Sequence, residues 1–432
     1  MMRQKISPLR QFMGRIQANK RSNNSPSPRY ISRRVFLLFA LAIQTAVFAQ
    51  VKVGESFPLW TSGYLDIHHI HTGRGESVFA ILPDGTTMLI DAGDVNLSTD
   101  GSNDRIAGER IVDYISHMMD ALPEKRLDYI FLTHFHPDHM GDVRNGLNTS
   151  SVGNYVRSGI TEVGDQIPFK IIVDRSWPYY KELRPIAEED NISNYIKFVR
   201  WQVDNGATAE RFEVGSNSQF KLRYDADKYP EFEIRNLAAN GQVWTGVQHE
   251  VYDLVPSKDV MTDDEYAGED LLSAAIRISY GKFDYLHGSD ISHVAPKGTW
   301  GDVETVVGLA VGPVEVSKAN NHGSHGTMGE AFLKAVRPKV VIIQNWAADQ
   351  PDHRVLQRMM DRSLYPGERD IFATNLLEAT RIVLGRRAAQ MKSQRGHVVT
   401  RVHPGGEFYD IYILDEVDHF TVKAIHGPYE SR

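Results

Sequence analysis

From Tyr64 onward the apolar residues fall into short runs, Leu65 to Ile70, Ser77 to Leu82 and Thr87 to Ile90, the last two joined by Pro83-Asp84-Gly85-Thr86. Proline at the start and glycine at the third place of that tetrapeptide are ordinary turn chemistry, so the pattern predicts an opening β-meander. The period then changes. Between Arg105 and Asp120 the apolar residues Ile106, Ile111, Ile115, Met118 and Met119 recur at helical spacing, which predicts a helix with one buried face. Leu127 to Leu132 follows as a short apolar strand, and a histidine-rich segment begins where it ends.

From about residue 150 to 265 the pattern is less regular, with a strand at Ile171 to Val173, a helix at Ile192 to Val203 and a strand at Phe232 to Arg235. This stretch reads as an insertion and loops around a shared core. Regular elements return at Ala275 to Tyr280, where Ile276, Ile278 and Tyr280 alternate with Arg277 and Ser279 as in a half-buried strand. Helices are expected at Gly329 to Val336 and near Val355 to Arg362, with a strand at Pro338 to Ile343 between them. Three more strands, His397 to Val402, Phe408 to Leu414 and Phe420 to Ile425, close the chain. The 432 residues thus divide into an N-terminal segment (1–49), a mixed α/β domain (50–385) carrying the insertion, and a β-rich C-terminal extension (386–432).

The first 49 residues stand apart: nine Lys or Arg, no Asp or Glu, an apolar run from Val35 to Phe48 broken only by Gln44 and Thr45, then Ala49 before Gln50. Basic start, short apolar core and small residue predict an export signal cleaved at or near Gln50. Ser32-Arg33-Arg34-Val35-Phe36-Leu37 resembles a twin-arginine signal; the general secretory route is the alternative. The run is too short to span a bilayer, so the mature chain is expected to be periplasmic or extracellular with no transmembrane span. Removing nine of the 48 basic residues leaves 39 against 55 acidic ones, about −16 in formal charge. Such a surface repels phosphate backbones, so non-specific nucleic-acid binding is not expected.

With no cysteine in the chain there is no disulfide, thiolate metal site or cysteine nucleophile, and any metal must sit on histidines and carboxylates. Such residues are concentrated in Thr133-His134-Phe135-His136-Pro137-Asp138-His139-Met140-Gly141-Asp142. Isolated histidine pairs are unremarkable in a chain with 17 histidines, but three histidines and an aspartate within six residues after a strand can converge on one point. Imidazole and carboxylate together suit zinc, and also manganese or iron.

The same motif, His-X-His-X-Asp-His with every ligand position matched, resembles that of the metallo-β-lactamase superfamily. The resemblance implies an α/β fold, an αββα sandwich, here with insertions and a C-terminal β-rich extension. It also implies that His134 and His136 hold one metal ion, that Asp138 and His139 hold a second, and that a later aspartate bridges the two. Asp290, in Tyr285-Leu286-His287-Gly288-Ser289-Asp290, is the candidate bridge.

Two further segments narrow the resemblance. Gly73-Arg74-Gly75-Glu76-Ser77, with Pro83-Asp84-Gly85 and Leu89-Ile90-Asp91-Ala92-Gly93, is similar to the opening of metallo-β-lactamase domains in competence-type DNA-uptake proteins and phosphorylcholine esterases. His71 and Glu76 stand where those relatives carry aspartates. Lys318-Ala319-Asn320-Asn321-His322-Gly323-Ser324 resembles their Lys-Val-Pro-His-His-Gly-Ser, with Asn321 in place of the first histidine. That leaves His322, and His325 beside it, as possible ligands. His353 is the candidate for the last ligand, because the superfamily often places a histidine just after the corresponding strand; His249 is an alternative for the first site. His68, His69, His397 and His403 fall on or beside strands and read as ordinary strand residues.

The implied activity is hydrolysis by a hydroxide on two zinc ions, manganese or iron being possible instead, with Asp138 ligating and orienting and His322 supporting a developing oxyanion. Asp91 and Asp142 are candidate orienters of ligand imidazoles. The expected substrate is a small or envelope-derived phosphodiester or phosphorylated component. Ester, lactone or lactam hydrolysis, an iron-dependent oxidoreductase, and a degenerate ligand-binding fold are the alternatives, the last drawing on the histidine missing at Asn321.

Overall fold

In the computed structural model, which describes residues 51–95, 106–144, 147–180, 190–256, 268–293 and 301–432, the meander forms as β1 (Leu65–His69), β2 (Val78–Ile81) and β3 (Thr87–Ile90). Helix α1 (Ala107–Met118), β4 (Leu127–Leu132) and a short helix α2 (Pro137–Met140) follow. Next come α3 (Ile160–Gln166), β5 (Phe169–Asp174), α4 (Asp190–Asp204) and β6 (Thr208–Arg211). Strands β7 (Phe232–Ala239), β8 (Gln242–Trp244), β9 (Val251–Asp253), β10 (Ala275–Tyr280) and β11 (Phe283–His287) continue the chain. Then come α5 (Val303–Val311), β12 (Val316–Lys318), α6 (Glu330–Val336), β13 (Val340–Ile343), α7 (His353–Met360), β14 (Asp370–Ala373), α8 (Glu378–Leu384), β15 (His397–Val402), β16 (Phe408–Leu414) and β17 (Val422–Glu430).

The strands make two sheets, β17-β16-β15-β1-β2-β3-β4-β5-β6 and β14-β13-β12-β11-β10-β7-β8-β9. Alternation along each strand explains the layers. Phe79, Leu89, Ile130 and Leu132 pack outward against Ile111 and Ile115 of α1, Val163 of α3 and Phe198 of α4. Their neighbours Val78, Met88, Tyr129 and Phe131 point the other way and meet Ile276, Ile278, Tyr285, Val316 and Ile342 of the second sheet. Leu286, Val341 and Ile343 then face Val307, Phe332 and Leu356 of the helices beyond it. Helix, sheet, sheet, helix is the αββα order expected.

The stretch expected as insertion and loops is less peripheral than its pattern suggested. Its β5 and β6 extend the first sheet, while β7, β8 and β9 belong to the second. The C-terminal strands likewise complete the first sheet: β15 pairs antiparallel with β1, and Arg401 grips Asp66 across that seam at 2.6 and 2.8 Å. Residues 51–432 form one compact unit. The export segment lies outside the described residues, and among the described residues no helix is long and apolar enough to cross a membrane.

Strands β3, β4 and β5 run parallel to one another, as do β11, β12 and β13. In open α/β sheets, ligands gather beyond the carboxyl ends of such strands, where the chain leaves the ladder and side chains are free to turn inward. Asp91 follows β3, His134 to His139 follow β4, Asp290 follows β11, His322 follows β12 and Trp346 follows β13.

Candidate metal centre

Backbone packing shapes the histidine loop before any ligand is considered. The Asp138 carbonyl accepts from Glu76 N at 2.7 Å, the His139 carbonyl accepts from Ala92 N at 2.8 Å, and Gly93 N donates to the Glu76 carbonyl at 2.8 Å. The loop is clasped between the two glycine-containing segments. A side chain would not fit there: a Cβ on Gly93 would lie 1.7 Å from the Asp138 carbonyl oxygen, and one on Gly75 would lie 2.5 Å from it.

The tautomers of the ligand histidines follow from their outer partners. Asp91, held at φ 57°, accepts from Thr133 N at 2.8 Å, from Thr133 Oγ1 at 2.7 Å and from His139 Nδ1 at 2.7 Å. His139 therefore donates through Nδ1 and presents Nε2 inward. His322 Nδ1 donates to the Gln344 carbonyl at 2.8 Å, again leaving Nε2 inward. Ser289 Oγ donates to Thr133 Oγ1 at 2.7 Å, so both hydroxyls have lone pairs toward His134 Nδ1, at 3.3 and 3.2 Å. His134 too turns Nε2 inward.

What those nitrogens face is carboxylate. His139 Nε2 lies 3.2 Å from Asp290 Oδ2, and His322 Nε2 lies 3.0 Å from Asp138 Oδ2 and 3.4 Å from Asp290 Oδ2. Imidazole lone pairs and carboxylate oxygens repel unless a proton or a metal cation sits among them. Burial disfavours charge on His139, but Asp290, Asp138 and Asp91 outweigh it and hold the imidazole well above its usual range. His322 is pushed up to about 10, burial being overcome by Asp290 and by its contact with Asp138. A divalent cation is the other solution, and it fits this donor set.

A second group lies alongside. His134, His136 and Asp270 bring one ligand atom each within 4.8 Å of one another, with His136 Nδ1 2.9 Å from Asp270 Oδ1 and 3.2 Å from His134 Nε2. Asp290 Oδ2 is 3.9 Å from His134 Nε2 and so lies between the two groups.

Glu76 lies within ligand distance of His139, Asp290 and His322, and on its other side its oxygens form ion pairs with Lys318 Nζ at 2.7 Å and His287 Nε2 at 3.0 Å. Asp138, closer to His322 Nε2, is the better ligand for the interior. Burial raises the carboxyl of Glu76, yet Lys318 and His287 hold it far below the usual range. Lys318 Nζ is fully buried and also touches Asp290 Oδ1 at 3.2 Å and the Ser289 carbonyl at 2.7 Å. It therefore occupies one oxygen of Asp290 and leaves Oδ2 for the histidines.

The structure brings His134, His136, Asp138, His139, Asp290 and His322 together. It does not bring His353. Asp352 caps α7 by accepting from Arg354 N at 2.8 Å, which makes His353 the first helical residue, about half exposed. The place expected for it is taken by Trp346, whose Nε1 donates to Asp138 Oδ2 at 3.1 Å. His249 Nδ1 pairs with the Gly215 carbonyl at 2.9 Å, and His325 is exposed. Asp91 orients His139, whereas Asp142 is tied through its backbone to Ser158 and Asp94. Asp270, Lys318, Trp346 and the supporting role of Glu76 escape sequence reasoning; only the position of Glu76 and Lys318 inside family-like segments marked them.

Residues 71–191 match the family model of the metallo-beta-lactamase superfamily. Among solved structures, the chain is similar to a protein of Parabacteroides distasonis provisionally named a metal-dependent hydrolase, at 13% identity over 75% of this chain and 99% of the other, with a TM-score of 0.33. No match was found among curated proteins.

Proposed function

We propose that this chain, which carries a metallo-beta-lactamase superfamily domain, is a metal-dependent hydrolase. The carrying observation is the convergence of two ring nitrogens, His139 Nε2 and His322 Nε2, whose Nδ1 atoms are already bonded outward, on two carboxylate oxygens, Asp138 Oδ2 and Asp290 Oδ2. Asp138, His139, Asp290 and His322 would hold one divalent cation, and His134 and His136 a second, with Asp290 shared. Such cations supply Lewis acidity, polarising an electrophile and making water a competent nucleophile near neutral pH.

The protein's own contribution is orientation. Asp91 and the Gln344 carbonyl fix the rings of His139 and His322, and Lys318 holds Asp290 by its outer oxygen. Trp346 Nε1 donates to Asp138 Oδ2 and holds that carboxylate in place. No cysteine competes as a nucleophile.

We infer a phosphodiester or phosphorylated envelope component as substrate, supported by the glycine-rich opening and the Lys318 to Ser324 segment that resemble those of DNA-uptake proteins and phosphorylcholine esterases. Zinc is the proposed metal. The basic, then apolar, N-terminus supports export, which sequencing the N-terminus of protein from its host would test: a start near Gln50 is expected, and an intact residue 30 would contradict it. For the activity, a panel of chromogenic phosphodiesters, carboxylic esters and β-lactams should give chelator-sensitive turnover of the phosphodiester first. Turnover of the esters or lactams alone would replace the substrate reading, and turnover of none would end the hydrolase reading.

A further inference from the structure

The superfamily motif leaves the His134 and His136 pair one protein ligand short, since His353 is at the surface and Asn321 stands where a histidine is expected. We propose that Asp270 is the missing ligand and that Asn321 is its positioning residue, so that one departure from the family pattern compensates the other. This assignment rests on reading the cluster as a metal centre.

Each oxygen of Asp270 has a distinct environment. Oδ1 is shut off from solvent with no hydrogen-bond donor directed at it, and its neighbours are His136 Nδ1 at 2.9 Å and His134 Nε2 at 3.8 Å. Oδ2 accepts from Asn321 Nδ2 at 2.9 Å. A histidine at 321 would offer no amide donor of this shape. The Asn321 backbone is held at φ 42° and ψ 51°, a left-handed conformation asparagine tolerates better than most residues, and its N–H donates to the Ser289 carbonyl at 3.0 Å.

The loop carrying Asp270 is locked to the motif itself. Glu269 accepts from Phe135 N, between the two histidines, at 2.9 Å. Arg175, buried at the end of β5, grips both oxygens of Glu269 at 2.7 Å and lies over the Phe135 ring. The His134–Phe135–His136 segment and the Glu269–Asp270 pair therefore move as one piece, as preorganised ligands require. The resulting two-imidazole, one-carboxylate set is harder than three imidazoles and favours oxygen-preferring ions such as Mn²⁺ more than the family pattern would.

The test is metal titration of the chelator-stripped full chain with Mn²⁺ and with Zn²⁺, with folding followed by circular dichroism. Wild-type protein should bind two ions, and Asp270→Asn should weaken one of them by more than the roughly 10–100-fold typical of residues that only touch a ligand. Asn321→Ala should weaken the same ion by roughly 10–100-fold, and should change nothing further once Asp270 is replaced. Asp270→His should keep two ions, favour Zn²⁺ over Mn²⁺ relative to wild type, and lose its dependence on Asn321; this variant carries the test if Asp270→Asn does not fold. Two ions held as tightly by Asp270→Asn as by wild type, or an undiminished effect of Asn321→Ala in the Asp270→His protein, would overturn the assignment. Because hydrolysis is not read, a protein that binds as expected but cleaves nothing sinks the proposed activity and spares the ligand.

Discussion

His139 and His322 at the sheet ends, and His68, His71 and His397 at the seam between β1 and β15, are all shut off from water, yet their surroundings push them in opposite directions. At the sheet ends carboxylates crowd the rings and raise both pKa values against the penalty of burial. At the seam the neighbours are mostly aromatic: His68 bonds Tyr114 Oη at 2.9 Å, and His397 stacks on Tyr114 and bonds His419 at 3.0 Å. There burial dominates, lowering His68 to about 4 and His71 to about 3 and holding His397 well below its usual range. The same side chain is placed to share a cation with carboxylates in one place and is a neutral packing element in the other. The difference is the carboxylates, not the histidine.

The comparison breaks most sharply at Asp290. Asp290→Ala removes the oxygen facing His134, His139 and His322 at once, so metal affinity at both positions should fall by more than roughly 100-fold, as read by titration. Retention of two tightly held ions would mean that Asp290 is not shared. Lys318→Met should come next. It strands Glu76 beside Asp290 without its cation, and thermal or denaturant unfolding should register a loss of about 3–5 kcal/mol, the usual scale for breaking a buried pair. Unchanged stability would indicate that Glu76 takes up a proton instead.

Asp91→Asn is a milder change. The Asn side chain keeps the shape but no longer accepts equally from His139 Nδ1 and Thr133, so metal affinity should drop roughly 10–100-fold while the fold persists. His353→Ala, by contrast, should leave metal content untouched.

The histidine motif was legible because it is local: four ligand residues within six positions on one loop after one strand. Asp290 was legible through its place after a strand, once the resemblance supplied an order. Asp270 was not, because its meaning depends on Glu269 meeting Phe135 across 134 positions of chain, a contact with no periodic or compositional trace. His353 misled for a related reason. Its distance from β13 suited a ligand, but the Asp352 cap turned the chain into a helix there and left the indole of Trp346 facing Asp138. In the fold, strands of five or six alternating residues could be read, whereas β8 and β9, three residues each, are too short to carry a period.

The seam sharpens the comparison from the other side. Above pH 6.5 its histidines are neutral both folded and unfolded. Between that value and the folded values, about 4 for His68 and about 3 for His71, only the unfolded chain takes up the protons, so stability is lost as pH falls. Each should contribute up to about 1.4 kcal/mol per pH unit over its window. Denaturant unfolding of wild type and of His68→Phe from pH 7 to 4 should give a shallower acid loss for the variant. An identical slope would mean that His68 is not held neutral by its surroundings.

The central claim is that the carboxylate-surrounded histidines exist to hold a cation on which hydrolysis depends. Elemental analysis of full-length protein purified under metal-replete conditions, paired with phosphodiester turnover before chelation, after it and after metal is restored, tests this most directly. The account predicts about two divalent ions per chain, with activity lost and regained together with them. Protein carrying only trace metal, or turnover that survives complete removal of the metal, would contradict it.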